Sequence, residues 1–579
     1  MNRKIEFSRT HTISRRFIIA IAIFVSSVEL FSPVAFGLPF EGHHIVMSVA
    51  NRYAAEVGQK IAEEGGNVID CAVAMELVMF VTNPTFGALG GGGFALVSMN
   101  GQIRALDFRE TAPAAMSADY YLKKAQDASI TGGASVGVPG TLEGLWVLHK
   151  KYGHLPWRKL FDRAVDLARH GFRVTGKVVA AEKNNQKRFN EKARELFLKD
   201  GKPYRPGDKI VQEGLSRALI SIRDHGPSPF YSGAIAKDIV DSVRASGGDM
   251  TLQDLEKYRV VWRKPLVTKY HDYQVYVMPL PSSGGLITIR ALHLLDLSGI
   301  DKSPLLSVDE YHLMGAVLQR AFMDRTDMGD PDFNNFDTAT LVGADSKGMA
   351  ELTKLARSIR MKRATSSKDL ASLMGVPFQP SKPSAHEAKE TSHLSVLDEN
   401  GNAVSMTFTL NGLFGSGIAT KKYGIMLNDE MDDFTTHPGK SNMFGLVQGR
   451  GNDVGPGKRP LSSMSPTLVA KNGRVVMALG APGGPRIISS VIQVLYRVLA
   501  RRQDLERAVE SPRVHHQFLP DILYYDDDGR MPYEIVKGLK ARWHDVKPGW
   551  QAHVFAVYGH NGILEGVVDT RDEGLASGF

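Results

Sequence analysis

The sequence predicts an α+β fold built in several stacked layers, and three observations carry that reading. Its 579 residues exceed what one hydrophobic core accommodates, so two or more layers or lobes are needed. Helical and strand patterns alternate along the chain. The composition, 43% hydrophobic and 23% charged, is that of a folded protein and excludes a disordered chain or a coiled coil. The single cysteine, Cys71, excludes a disulfide framework, a cysteine-cluster zinc site and an iron–sulfur centre. No internal repeat of about 20–50 residues stands out, so a solenoid or propeller is not expected.

The first 37 residues read as an export signal. Arg15 and Arg16 precede an apolar run from Phe17 to Val25, and Ala35-Phe36-Gly37 places small residues at a cleavage spacing. The run is much shorter than the ~20 residues of a membrane span, and the alternative to a cleaved signal is an uncleaved anchor of the same topology. The chain is therefore expected to be exported, to a periplasm or to the medium. Residues 1–37 carry +3 of the net +8, which leaves +5 on the remainder. No Lys/Arg block or aromatic-interleaved basic stripe is present, so nucleic acid is not an expected partner.

The elements follow in order. Ala50–Glu64 reads as a helix stopped by Gly65-Gly66, and Val68–Phe80 as a second, strongly apolar helix. Phe94–Val97 and Arg104–Arg109 read as paired strands turning at Asn100-Gly101. From Pro139 to about Arg320 the pattern is mostly amphipathic helix, including Leu142–Lys151 and Arg158–Arg169. Residues 376–390, with three prolines and no apolar periodicity, form an extended connector. Directly after it, Thr391–Leu397 and Ala403–Leu410 are strands joined by a turn containing Asn400-Gly401. Val475–Leu479 is a strand feeding Gly480-Ala-Pro-Gly-Gly484, and a helix runs from Pro485 to about Arg501.

Few of these features can carry chemistry. The glycines Gly90–Gly93 lack the Lys-Ser/Thr of a phosphate loop and the spacing of a dinucleotide fingerprint, so close backbone packing is their expected role. The pairs His43-His44 and His515-His516 are expected to be structural, because neighbours on a strand face opposite ways. Asp526-Asp-Asp-Gly529 lacks the alternating acids of a calcium loop and reads as a turn. Ser462-Ser463 has no Gly-x-Ser-x-Gly elbow around it. Gly483-Gly484 before a helix is a candidate oxyanion site, since residues without Cβ let their N–H groups approach closely and the helix terminus adds positive potential. Thr391 is a candidate nucleophile by its context. A cut between Glu390 and Thr391 would free an α-amine beside the hydroxyl, with an ordinary pKa of about 7.7–8.0 suited to proton transfer.

Seven separated motifs then appear in one order: Leu89-Gly-Gly-Gly-Gly-Phe94, Asp107-Phe-Arg-Glu110, Gly137-Val-Pro-Gly140, Thr391-Ser-His-Leu-Ser395, Asn428-Asp-Glu-Met-Asp-Asp-Phe434, Lys458-Arg-Pro-Leu-Ser-Ser-Met-Ser-Pro466 and Pro482-Gly-Gly484. With them the chain, from about Gly42 to Phe579, resembles the γ-glutamyltranspeptidases, which are N-terminal-nucleophile hydrolases. The resemblance implies a four-layer αββα sandwich. It also implies a precursor that cleaves itself into a large subunit, 38–390, and a small subunit, 391–579, which stay together as a heterodimer. It implies that Thr391 is the nucleophile, that Thr409 orients it, and that Gly483 and Gly484 form the oxyanion hole. Arg109, with Ser462 and Ser463, would hold a substrate α-carboxylate, and Asn411, Glu430 and Asp433 its α-ammonium. Position 430 is Glu where related enzymes carry Gln or Glu, and both accept from an ammonium.

The implied activity is γ-glutamyl transfer from glutathione and similar γ-glutamyl amides, to water or to amino acid and dipeptide acceptors, with no cofactor or metal. A glutaryl- or cephalosporin-type acylase would have no α-ammonium to bind, and the three acceptor residues speak against it. Pro438–Gly449 resembles the family's lid, with Phe444 as its aromatic gate. A silent binding protein using the same pocket would differ in leaving the connector uncut.

Overall fold

The strand-forming runs assemble into two seven-stranded antiparallel sheets in a computed structural model that describes residues 39–87, 89–375, 378, 391–571 and 573–579. The expected signal, residues 1–37, and all of the 376–390 connector except Phe378 lie outside the described residues. One sheet orders its strands Phe40–Gly42, Ile563–Val568, Phe555–His560, Arg474–Gly480, Thr467–Lys471, Tyr273–Val277 and Leu266–Tyr270. The other orders Leu575–Gly578, Ile45–Val49, Ser392–Asp398, Ala403–Thr409, Gly92–Met99, Gln102–Phe108 and Val261–Arg263.

The sheets face one another, and strand alternation sorts the side chains between the layers. On the Gly92–Met99 strand, Phe94 and Leu96 enter the core shared with the facing sheet, while Ala95 and Val97 pack with the outer helices. Helices Arg52–Glu63 and Val68–Thr82 cover one sheet; helices Ser283–Ser298 and Arg486–Leu495 cover the other. The result is the expected αββα order of layers. The seam between the sheets is partly polar and satisfied. Ser48 Oγ donates to the Val567 carbonyl at 2.6 Å, Ser395 Oγ to Phe555 at 3.1 Å, and Ser405 Oγ to Leu479 at 2.9 Å. Buried hydroxyls aimed at carbonyls of the opposite sheet fix how the two sheets align.

Most expected elements form within a few residues of their predicted ends. The helix expected over 158–169 begins as a 3₁₀ turn, Trp157–Phe161, and continues as Asp162–His170. The helix after Gly484 runs Arg486–Leu495 and passes into a π-helical turn, Tyr496–Ala500. The reading of 139–320 as mostly helix needs one correction. Val261–Arg263, Leu266–Tyr270 and Tyr273–Val277 are strands that complete both sheets. The last two turn at His271-Asp272, with His271 at φ 51°, so the glycine or asparagine that usually marks such a turn is missing. Among the described residues no helix is long and apolar enough to cross a membrane.

Candidate active site

Thr391 stands at the mouth of the Ser392–Asp398 strand, in the middle of its sheet, and is 5% exposed. Ser392 pairs with Phe408 across the hairpin, so the register continued by one residue sets Thr391 opposite Thr409. The hairpin turn is held by Asp398, whose carboxylate accepts the N–H groups of Asn400 and Asn402. Thr409 Oγ accepts the Asn411 N–H at 2.9 Å, which leaves the hydroxyl proton to be donated. Asn411 itself sits at φ 74°, a left-handed conformation that asparagine tolerates better than most residues. Its amide donates to the Asp429 carbonyl at 3.1 Å.

The glycines of the Pro482–Gly484 motif require their lack of a side chain. Gly483 lies at φ 121° and Gly484 at φ 53°; a Cβ on Gly483 would come within 2.6 Å of the Trp550 ring, and one on Gly484 within 2.7 Å of the Phe444 ring. The N–H groups of Arg486 and Ile487 turn back onto the carbonyls of Gly483 and Gly484. Among the described residues nothing accepts the Gly483 or Gly484 N–H, so both remain available to a developing oxyanion.

Arg109 ends the Gln102–Phe108 strand and is 1% exposed. Its placement shows why the motifs travel together. The Asp107 carboxylate accepts the Arg109 N–H at 3.0 Å and pairs with Arg263 and Arg459; Arg109 Nε donates to the Pro460 carbonyl at 3.2 Å. Asn428 bolts three motifs at once. Its carbonyl oxygen accepts the Gly137 and Glu430 N–H groups, and its amide donates to the Gly90 and Gly137 carbonyls.

The guanidinium fork of Arg109 faces the acids. Nη1 pairs with Glu430 and Nη2 with Asp433 at 2.7 Å, while Glu110 lies 3.7 Å away. Burial pushes the Glu110, Glu430 and Asp433 carboxyls up from their ordinary values; Arg109 opposes this at all three and Arg325 at Asp433, while repulsion from neighbouring acids adds to it at Glu110 and Glu430. The cation and the acids expected to bind a zwitterion are thus neighbours that neutralise one another. A ligand bearing both charges on one carbon can replace those ion pairs group for group.

Ser462 and Ser463 sit opposite, and both hydroxyls accept from fixed N–H donors: Ser462 Oγ from Met464 at 3.1 Å, Ser463 Oγ from Arg325 at 3.2 Å. Thr391, Thr409, Asn411, Glu430, Asp433, Arg109, Ser462, Ser463 and Gly484 all line one cavity of about 20 Å³, space for about one water. Phe444 and Leu446 also line it, and Gln517 donates to the Phe444 carbonyl at 3.4 Å. The sequence reading missed Arg325 and Gln448. Gln448 ties the base of this loop to the Asp433 carbonyl at 2.5 Å. Neither residue lies in a glycine-marked turn or a periodic face that a local pattern could single out.

The remaining candidates find structural partners. Cβ atoms on Gly90, Gly91 and Gly93 would fall within 2.3 Å of carbonyl oxygens of Met426, Thr409 and Thr407. His515 bonds Ser489 and Gln517, whereas His516 faces Asp521. Asp526 pairs with Arg571, and among the described residues no cluster of acids, His or Cys could hold a metal ion.

A strand-opening threonine caught between two facing antiparallel sheets, each backed by helices, is the layout of the N-terminal-nucleophile hydrolases. Comparison narrows the class. The sequence model of γ-glutamyltranspeptidase matches residues 54–579. The chain is 37% identical to the glutathione hydrolase proenzyme of Escherichia coli (strain K12), over 94% of this chain and 95% of that one. Helicobacter pylori γ-glutamyltranspeptidase superposes with a TM-score of 0.51 at 34% identity, covering 55% of this chain and 92% of the other. Cephalosporin acylase from Bacillus halodurans superposes with a TM-score of 0.78 at 22% identity, over 95% and 99%, and shares the fold. The chain belongs to the γ-glutamyltranspeptidase family.

Proposed function

We propose that the chain is a glutathione hydrolase and γ-glutamyltransferase that matures by cutting itself before Thr391. The Thr391 hydroxyl attacks the Glu390 carbonyl, the peptide nitrogen leaves as the free α-amine, and water cleaves the resulting ester. Residues 38–390 and 391–579 become the large and small subunits of a heterodimer, exported with loss of residues 1–37.

In the mature site the freed amine takes the Thr391 hydroxyl proton as the oxygen attacks a γ-glutamyl carbonyl. Gly483 and Gly484 stabilise the oxyanion, which is worth ~10²–10³ in rate per donor in acyl-transfer enzymes. The proton passes to the departing amine and a γ-glutamyl ester remains on Thr391. Water releases glutamate, or an amino acid or dipeptide amine forms a new γ-glutamyl bond. Arg109, Ser462 and Ser463 hold the α-carboxylate; Asn411, Glu430 and Asp433 hold the α-ammonium. A substrate lacking either charge leaves a buried group unpaired, a heavy cost. A glutamyl group needs more room than the cavity of about 20 Å³ offers, and Phe444 and Leu446 are the lining residues proposed to swing aside.

The observation that carries this reading is the convergence of Thr391, Arg109 and the two acids on one cavity that Gly484 also lines. An intact-mass spectrum under denaturing conditions tests it. Two chains, one running Thr391–Phe579, together with glutathione turnover, are expected. Thr391→Ala should remain a single inactive chain. One uncut wild-type chain would overturn the reading in favour of a silent binder.

A further inference from the structure

Arg325 is the second guanidinium lining the cavity, and its surroundings differ from those of Arg109. It lies on the short 3₁₀ turn Arg325–Asp327 and is 4% exposed. Its Nε donates to Ser283 Oγ at 3.2 Å, Nη1 to Gln448 Oε1 at 3.3 Å and Nη2 to Ser463 Oγ at 3.2 Å. All three acceptors are neutral, whereas Arg109 has two carboxylates in contact and a third at 3.7 Å. Among the described residues no carboxylate pairs with Arg325 within 4 Å, although Asp433 acts on it from farther away. A buried cation with only neutral partners keeps most of its desolvation cost unless an anion joins it.

The bond to Ser463 has a directional consequence. A hydroxyl that accepts from a fixed N–H has one proton left to place. For Ser463 no described acceptor takes that proton, so it is free for a group in the cavity. Ser283, held by the same guanidinium, donates to the Ser462 carbonyl at 2.7 Å and so anchors the segment that carries both serines. Burial pushes the Arg325 guanidinium down to about 10, which leaves it cationic at neutral pH.

We propose that Arg325 is a positioning residue of the α-carboxylate pocket: it aims the Ser463 hydroxyl as a donor at the amino-acid carboxylate and supplies a second positive charge behind it. This deepens the reading of the site given above and rests on it. The carboxylate would then meet two cations, one in direct contact and one acting through a serine. Specificity for α-amino acid ligands over their decarboxylated analogues therefore depends on Arg325 as well as on Arg109.

The test measures competitive inhibition of γ-glutamyl-p-nitroanilide hydrolysis by L-glutamate, by glutarate, which lacks the ammonium, and by 4-aminobutyrate, which lacks the α-carboxylate. In mature Arg325→Gln, inhibition by L-glutamate and glutarate is expected to weaken about tenfold or more. Inhibition by 4-aminobutyrate should stay within about twofold, and Arg325→Lys should recover part of the loss. Equal weakening for all three ligands, or no weakening, overturns the proposal, because a purely structural bolt would not distinguish them. Arg109→Gln serves as the control. If it discriminates among the ligands and Arg325→Gln does not, the proposal alone fails; if neither discriminates, the assignment of the carboxylate pocket fails. Should Arg325→Gln not mature, the Arg325→Lys and Ser463→Ala pair decides. Losses for L-glutamate that fall short of additive in the double variant support coupling, and additive losses overturn it.

Discussion

At the scale of single residues, Arg109 and the acids beside it pair with one another before any ligand arrives. Glu430 is the sensitive member, since burial and its acidic neighbours hold its carboxyl above the ordinary range, toward about 8. A proton on Glu430 removes the negative charge that would face an α-ammonium. L-Glutamate should therefore bind more tightly as pH rises from the ordinary carboxylate range toward about 8, and then level off. In Glu430→Gln that slope should flatten while turnover persists, because an amide oxygen still accepts from an ammonium. Inhibition constants measured across pH check this, and an unchanged slope would assign the titration to another group. Arg109→Ala should mature normally yet lose glutathione turnover, with unchanged turnover ruling out its role at the carboxylate.

At the scale of elements, two devices set the geometry. The glycine run packs backbone on backbone, with a Cβ on Gly91 falling 2.0 Å from the Thr409 carbonyl. Gly91→Ala must push the Ala403–Thr409 strand aside, and overpacking of that kind costs about 1–3 kcal/mol. A lowered Tm together with lower activity is expected, since Thr409 moves with its strand; a normal Tm would show that the contact yields freely. The second device is the loop 438–449, which lays Phe444 over Gly484. Phe444→Ala should change the ratio of hydrolysis to transfer by admitting water to the ester, and product analysis with an amino acid acceptor reads that ratio. The same scale shows how much was legible in the chain. The Ser392–Asp398 and Ala403–Thr409 hairpin was readable because Asn400-Gly401 marks its turn. Leu266–Tyr270 and Tyr273–Val277 were not, because a turn through His271-Asp272 leaves no such mark.

At the scale of the whole molecule, the strands from either side of Thr391 interleave. In one sheet Ser392–Asp398 and Ala403–Thr409 lie between Ile45–Val49 and Gly92–Met99; in the other, Phe40–Gly42 and Tyr273–Val277 flank strands that follow residue 391. A cut before Thr391 therefore breaks one bond and leaves every ladder intact. The two chains should elute together in native size exclusion and separate only on denaturation; separation under native conditions would mean that the sheets do not hold them.

By itself the sequence determined the alternation of elements, the strand that opens at Thr391 and the grouping of motifs, because turn chemistry, periodicity and residue type are local properties. It also pointed to Arg109, Glu430 and Asp433, though only through the family pattern. The tertiary structure decided what those residues face. It joined Arg109 to the acids, set Ser462 and Ser463 on the same cavity, and brought Arg325 there from a turn no spacing singles out. The physical reason is that burial and charge pairing are set by what other segments place within a few ångströms, and chain order does not contain that information.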